Sequence, residues 1–212
     1  MLNYFDEQFR SWVKAACLDW GYDEPPESFY SEAYQRLPEG VRILIGEGVK
    51  KGYISTEGHA FSFGKRKADK IGCHWFSKFS KAKQPSLNWE YFTQAAYYAK
   101  FFDIAEQHGM VLRTEDRNMD ITLSQGDRLY AYIEVKETSI QLKRLINGIR
   151  NYQNDVDLSA PDRRNDPLRK AKYIITSRPR YFCGVSNGAR FDYRVRYNGN
   201  SFALEEDVID LF

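Results

Sequence analysis

Asp120, Glu134 and Lys136 are the residues whose types and spacing could do chemistry, and all three lie in the stretch Met119 to Glu137, MDITLSQGDRLYAYIEVKE. Two carboxylates and an ammonium within a few ångströms of one another can act on a phosphate ester. Like charges at that range repel unless a cation stands between them. Mg²⁺ meets that need, with Mn²⁺ as a substitute: it is a hard ion, usually held by one or two carboxylates with waters and phosphate oxygens filling the other positions. Lys136, two residues after Glu134, points to the same face, where it could polarise an attacking water or steady a phosphate. The plainer alternative is a solvated strand face with one Glu/Lys ion pair and an unrelated aspartate, and alternation alone leaves both open.

Placing these side chains together takes a hairpin. Residues 119–123 and 129–135 alternate apolar and polar with the period of two of half-buried strands. Ser124-Gln125-Gly126-Asp127-Arg128 between them is turn-like, so the pattern predicts an antiparallel hairpin. Folding about Gly126 sets Asp120 opposite residue 132 or 134, so its carboxylate shares a face with Glu134 and Lys136. Upstream, Ser86 or Asn88 can cap a helix that runs to His108 and stops at Gly109, with Phe92, Ala95, Ala96, Ala99 and Phe102 on one face. Glu90 falls in its first turn, where the helix dipole favours a carboxylate in any case. Downstream, Ser139 to Gln153 repeats Leu142, Leu145, Ile146, Ile149 and Tyr152 as an amphipathic helix, with Lys143, Arg144 and Arg150 on its polar side. Asn154 to Arg169, rich in Asp, Arg, Asn and Pro, reads as a mobile loop. Lys172 to Ser177, with Tyr173, Ile174 and Ile175 consecutive, reads as a strand buried on both faces. Arg190 to Arg196 alternates again, and Asn198-Gly199 followed by Ser201 to Leu204 predicts a terminal hairpin. The expected class is therefore α/β, a mixed central sheet flanked by helices.

An acidic residue on one strand and an acidic-x-Lys triplet on the next resembles the PD-(D/E)XK nuclease superfamily, restriction-endonuclease-like in fold; the match is Asp120, then Glu134-Val135-Lys136. Met119 stands where the superfamily has its proline. The order helix, Gly109 to Arg113, Asp120 and IEVK is similar to that of archaeal Holliday-junction resolvases, in which a glutamate near the start of the first helix joins the metal site; Glu90 corresponds to it. Those enzymes also carry an Arg and a Ser before the aspartate, and here Arg113 is present while no serine follows it before Asp120. The resemblance implies a Mg²⁺-dependent endodeoxyribonuclease acting on duplex, branched or junction DNA. Asp120 and Glu134 would bind the metal with the Val135 carbonyl, helped by Glu90 directly or through water, while Lys136 orients the attacking water. It also implies a homodimer. Size and aromatic richness are similar to those of nuclease-superfamily proteins of archaeal spindle-shaped viruses, which would make this a viral protein of the host cytoplasm. A sequence-specific restriction-type nuclease, a non-catalytic DNA-binding protein with the same fold and an RNA-directed nuclease are the competing readings.

With 212 residues the chain can bury a sizeable core and has room for one extended domain or two modest ones. It has neither a positively charged apolar leader nor a long apolar run, and Cys17, Cys73 and Cys183 do not form a disulfide framework, so an intracellular protein is expected. Cys73-His74, His59 and His108 lack zinc spacing. A net charge of +2 is no nucleic-acid signature by itself, but the charge is uneven. Lys65, Arg66, Lys67, Lys70, Lys78, Lys81 and Lys83 face only Asp69, with His74, Trp75, Phe76 and Phe79 interleaved. Arg163, Arg164, Arg169, Lys170, Lys172, Arg178 and Arg180 face Asp166. Both stretches, with Arg113, Lys143, Arg144 and Arg150, are candidates for phosphate contacts. Ahead of them, Phe5 to Trp20, Ser28 to Leu37 and Val41 to Val49 carry helical spacing, and His59 to Phe63 alternates. Three helices and a small ribbon resemble a winged helix, so residues 1–85 are expected to be a mainly helical N-terminal region and residues 86–212 the nuclease core.

Overall fold

The computed structural model describes residues 2–63, 73–79, 81–116 and 119–209. Lys65, Arg66 and Lys67, and with them the centre of the first basic stretch, lie outside the described residues. The chain forms two compact units, Met1–Asp103 and Ile104–Phe212, so the expected boundary at 85/86 falls inside the first.

In the first unit, helices α1 (Leu2–Trp20), α2 (Glu27–Arg36) and α3 (Glu39–Lys50) precede an antiparallel hairpin, β1 (Ile54–Glu57) and β2 (Ala60–Phe63), which β3 (Cys73–His74) extends. A second hairpin pairs β4 (Phe76–Phe79) with β5 (Gln84–Leu87). Pro26 and Pro38 stand at the N-caps of α2 and α3, where a missing N–H costs nothing, and acidic Glu27 and Glu39 follow in the first turns. Phe5, Phe9, Trp12, Val13 and Ala16 form the buried stripe of α1. Helix α4 (Trp89–Gln107) begins after Asn88, whose side chain accepts from Ser77 Oγ and donates to the His74 carbonyl, tying the helix start to both small sheets. Of the predicted face, Phe92, Ala95, Ala96 and Ala99 are buried and Phe102 is half-buried; Tyr98, Phe101 and Ala105 are buried as well, so the apolar surface of α4 spans more than one face.

Trp75 is the centre of this core. Its ring stacks on Trp12 at 4.7 Å and on Phe61 at 3.9 Å and tilts against Phe92 at 4.7 Å. Of the aromatics interleaved with the first basic stretch, Trp75 and Phe76 are buried, while Phe79 is exposed.

The second unit is built on one six-stranded mixed sheet in the order β11-β10-β9-β8-β7-β6. Its strands are β6 (Val111–Asp116), β7 (Met119–Gln125), β8 (Arg128–Lys136), β9 (Tyr181–Ser186), β10 (Ala189–Asn198) and β11 (Ser201–Glu206). All neighbours are antiparallel except β8 and β9. A parallel pair needs a crossover, supplied here by α5 (Ser139–Arg150) and α6 (Asp166–Ser177). Thr138 caps α5 through a reciprocal capping box with Gln141. Leu142, Leu145, Ile146 and Ile149 of α5 and Leu168, Ala171, Ile174 and Ile175 of α6 are buried, most of them in a core with Tyr132, Phe182, Tyr193 and Phe202 of the sheet. Burying each of the larger side chains stabilises the fold by about 1.5–3 kcal/mol. Two glycines set the spacing: a Cβ on Gly184 of β9 would meet Leu142 Cδ1 at 2.8 Å, and one on Gly148 of α5 would meet Pro167 Cγ at 2.8 Å.

Residues 172–177 are helical, correcting the expected strand. The signature Asn165-Asp166-Pro167 starts a helix, with the Asn165 side chain accepting from Leu168 N and Pro167 in the first turn. The strand buried on both faces comes a few residues later, at Tyr181–Ser186, and the loop ends at Asn165. The terminal hairpin forms as predicted, with Gly199 at φ +58. Among the described residues no helix is long and apolar enough to cross a membrane.

Candidate functional site

The hairpin at the centre of the second unit pairs Ile121 with Ile133 and Thr122 with Tyr132. Extending that register by one residue sets Asp120 opposite Glu134, on the face shared with Thr122 and Tyr132. The turn is tighter than expected, since Gln125 pairs with Arg128 and Gly126 adopts φ +58. The strands are also not half-buried. Residues 131–135 of β8 are all buried, because β8 has neighbours on both sides and packing on both faces.

Asp120 Oδ2 accepts from the Val135 N–H at 2.7 Å, a bond that holds the aspartate of β7 against the triplet of β8. Glu134 is fully buried and carries three partners. Its Oε2 meets the Lys170 ammonium at 2.8 Å and accepts from the Tyr132 hydroxyl. Its Oε1 meets the Lys136 ammonium at 2.9 Å and accepts no hydrogen bond of good geometry. Lys136 Nζ also donates to the Val135 carbonyl at 2.8 Å, so the backbone oxygen expected as a metal ligand is engaged by the motif's own lysine. Two carboxylates and two ammoniums thus share one poorly hydrated place.

Burial pushes the Asp120 carboxyl well above the usual aspartate range, and the Glu134 charge adds to it; Lys170, Lys136 and the Val135 N–H pull the other way and lose. Tyr132 is likewise pushed well up by burial first and by the Glu134 charge second, so its hydroxyl stays a donor. Burial draws the Lys170 pKa down, but the carboxylates of Glu134 and Asp120 outweigh it and hold the ammonium above the ordinary lysine value. A carboxyl raised in the fold binds a proton that the unfolded chain has lost. Stability therefore falls as pH rises from about 4, the unfolded aspartate value, through the range in which folded Asp120 ionises. Asp120→Asn keeps the acceptor for Val135 and removes the charge. In EDTA its melting temperature is expected to gain on that of the wild type as pH increases, by about 2–4 °C for each kcal/mol involved. A gap that stays constant from about pH 4 to about pH 9 would show that Asp120 ionises normally.

Among the described residues no three His, Cys, Asp or Glu side chains gather where they could hold a metal ion. The acid set of the second unit is a pair, Asp120 and Glu134; Glu90 is exposed in the first turn of α4, in the first unit. Two carboxylates remain enough for a hard divalent ion that keeps waters or phosphate oxygens. The buried Oε1 of Glu134, with acceptor capacity unused, fits a ligand role. Arg113 is exposed on β6 and pairs with Thr122, which places it on the same face of the sheet as Asp120. Lys143 and Arg144 are exposed on α5, with the Lys143 ammonium 5.6 Å from the Phe191 ring, while Arg150 is half-buried over Tyr193.

Lys170 and Tyr132 are the site residues that sequence reasoning missed. Lys170 was counted as one of a surface basic stretch, yet it is 3 % exposed. Once α6 is recognised, Lys170 stands four residues before buried Ile174 and so above the apolar stripe. Lys172 of the same stretch is also spoken for, donating to the Ala160 carbonyl. No protein-family model, no curated protein and no solved structure matches this chain.

Proposed function

We propose that the second unit is the core of a PD-(D/E)XK-type nuclease that hydrolyses phosphodiester bonds of DNA with a divalent metal ion. One observation carries the reading: the Val135 N–H holds the Asp120 carboxylate beside the Glu134-Val135-Lys136 triplet on the neighbouring strand. The order of elements supports it, with α4, three antiparallel strands, a helical crossover and a parallel fourth strand. Asp120 and Glu134 are the ligands for Mg²⁺ or Mn²⁺, which when bound supplies Lewis acidity and a water of lowered pKa. Lys136, one-fifth exposed, is the side chain positioned to hold that water or to stabilise charge developing on the phosphate. Tyr132 and Lys170 fix the Glu134 carboxylate in place from beneath. Arg113, Lys143 and Arg144 offer phosphate contacts, and the helices and ribbon of the first unit, ordered as in a winged helix, would position the core on DNA. Cutting both strands of a duplex would take two copies of the chain.

A second reading rests on the same carboxylate. Both oxygens of Glu134 already face an ammonium, so the cluster is also what a non-catalytic DNA-binding protein would retain as a buried charge network. Cleavage of linear duplex, single-stranded and four-way-junction DNA with Mg²⁺ or Mn²⁺ separates the two. Wild type is expected to cut only with metal, and Asp120→Ala to cut about 10²–10³-fold more slowly, on the scale of losing one electrostatic stabiliser. Preference for the junction would mark a resolvase-like substrate, and cuts at fixed positions in linear duplex a restriction-type one. Binding without cleavage by any metal would select the second reading, and equal cleavage by both proteins would remove Asp120 from the site.

A further inference from the structure

We infer that the second unit carries a binding cleft for nucleotide phosphate at the hairpin tip, at the opposite end of β8 from Glu134. The cleft, about 470 Å³, is lined by Arg128 and Tyr130 of β8, Ser177 and Arg178 at the end of α6, and Arg180 ahead of β9, with Asp127 the acid in its wall. Glu134 lies six residues further along β8, about 20 Å away at strand rise. The volume is within the usual span of small-ligand sites, about 300–1,000 Å³.

Charge makes the case. Arg10, Arg42, Arg169, Arg190, Arg194 and Arg196 each have a carboxylate partner. Arg128, Arg178 and Arg180 have none among the described residues, and all three are exposed. Three guanidiniums against Asp127 leave an excess of positive charge at one concave place. Two of the three are held in position rather than left to roam. Arg180 lies 5.8 Å from the Tyr130 ring centroid and 5.2 Å from that of Tyr181, and the two rings are 5.3 Å apart. Arg178 lies 5.3 Å from the Tyr197 centroid and donates from Nη2 to the Gly199 carbonyl at 3.3 Å. Side chains already ordered lose less entropy when a ligand arrives. Arg178 is also left-handed, at φ 48 and ψ 54, directly before Pro179, a position that normally prefers extended backbone. Strain of that kind persists where the surroundings over-determine it and is commonest at binding sites.

Guanidinium forks match phosphate oxygens, and guanidinium planes and tyrosine rings take stacked bases, so the cleft suits a phosphate with its neighbouring base. The same chemistry could come from a free nucleotide or from one unit of a single strand. The test measures equilibrium binding, in EDTA, of dATP and of a fluorescent thymidine oligonucleotide about eight nucleotides long. Wild type is compared with Arg128→Ala/Arg180→Ala and with Lys14→Ala/Arg196→Ala, which removes two exposed basic side chains outside the cleft. Tenfold or greater weakening by the first pair, with less than threefold by the second, is the expected result. For the oligonucleotide, loss of two phosphate contacts should also lower the salt slope by about 1.4. Binding of the oligonucleotide alone assigns the cleft to a strand, and binding of both probes admits a free nucleotide. Equal weakening by the two pairs, or no binding of either probe by wild type, overturns the inference. Because the assay contains no metal and reads no cleavage, it stands apart from the nuclease reading.

Discussion

Lys170→Met is expected to lower the stability of the metal-free protein by about 3–5 kcal/mol, the range for removing one partner of a buried ion pair. Glu134 and Lys170 are 0 % and 3 % exposed, and no bulk water is available to either. Methionine fills the volume of the lysine stem but leaves the carboxylate with Tyr132 and the one-fifth-exposed Lys136 alone. The cost therefore comes from an uncompensated buried charge. If that is the origin, Glu134→Gln introduced together with Lys170→Met should cost less than the two single substitutions summed, with a coupling of about 1–3 kcal/mol. Urea denaturation in EDTA measures all four proteins. A loss under about 1 kcal/mol for Lys170→Met would show the pair to be hydrated in solution.

Lys136→Met is expected to do the reverse: a fall of about 10²–10³-fold in metal-dependent cleavage with less than about 1 kcal/mol of stability lost. Its ammonium reaches Glu134 Oε1 and the Val135 carbonyl from the open side of the cluster, with 19 % of its side chain exposed. Removing it leaves Glu134 paired with Lys170. On the proposed reading the lysines divide between two roles, Lys136 toward the phosphate and Lys170 toward the fold. Single-turnover cleavage and urea melts on the same preparations test that division. Lys136→Met that cuts like wild type, or that melts as low as Lys170→Met, contradicts it.

Local pattern carried the hairpin. The alternation around Gly126 placed Asp120 opposite residue 132 or 134, and the pairing of Ile121 with Ile133 selects 134. It could not report that β8 is buried on both faces, because that depends on β9, which follows in sequence only after two helices. The same distance hid Lys170: its partner is a carboxylate far from α6 in sequence, and a lysine among arginines looks like surface until the helix is in place. Tyr173-Ile174-Ile175 misled for a different reason. A short apolar run fits a buried strand and a buried helix equally, and Asn165-Asp166-Pro167 was the signal that decides between them. Trp75 and Phe76, neighbours of lysines in sequence, fill the core of the first unit, which proximity in sequence does not reveal.

The ammonium of Lys170 has one more implication. Anchored by α6 between β8 and β9, it is a counter-ion that the fold carries with it, present at Glu134 at an effective concentration no solute reaches. On the proposed reading, a metal ion would join Glu134 at Oε1 while Lys170 keeps Oε2, so it would meet a carboxylate whose charge is already compensated by a tethered ammonium. A sodium or potassium ion would gain little there, whereas an ion of higher charge density would still gain, so selection against monovalent ions would follow from where α6 sets its lysine.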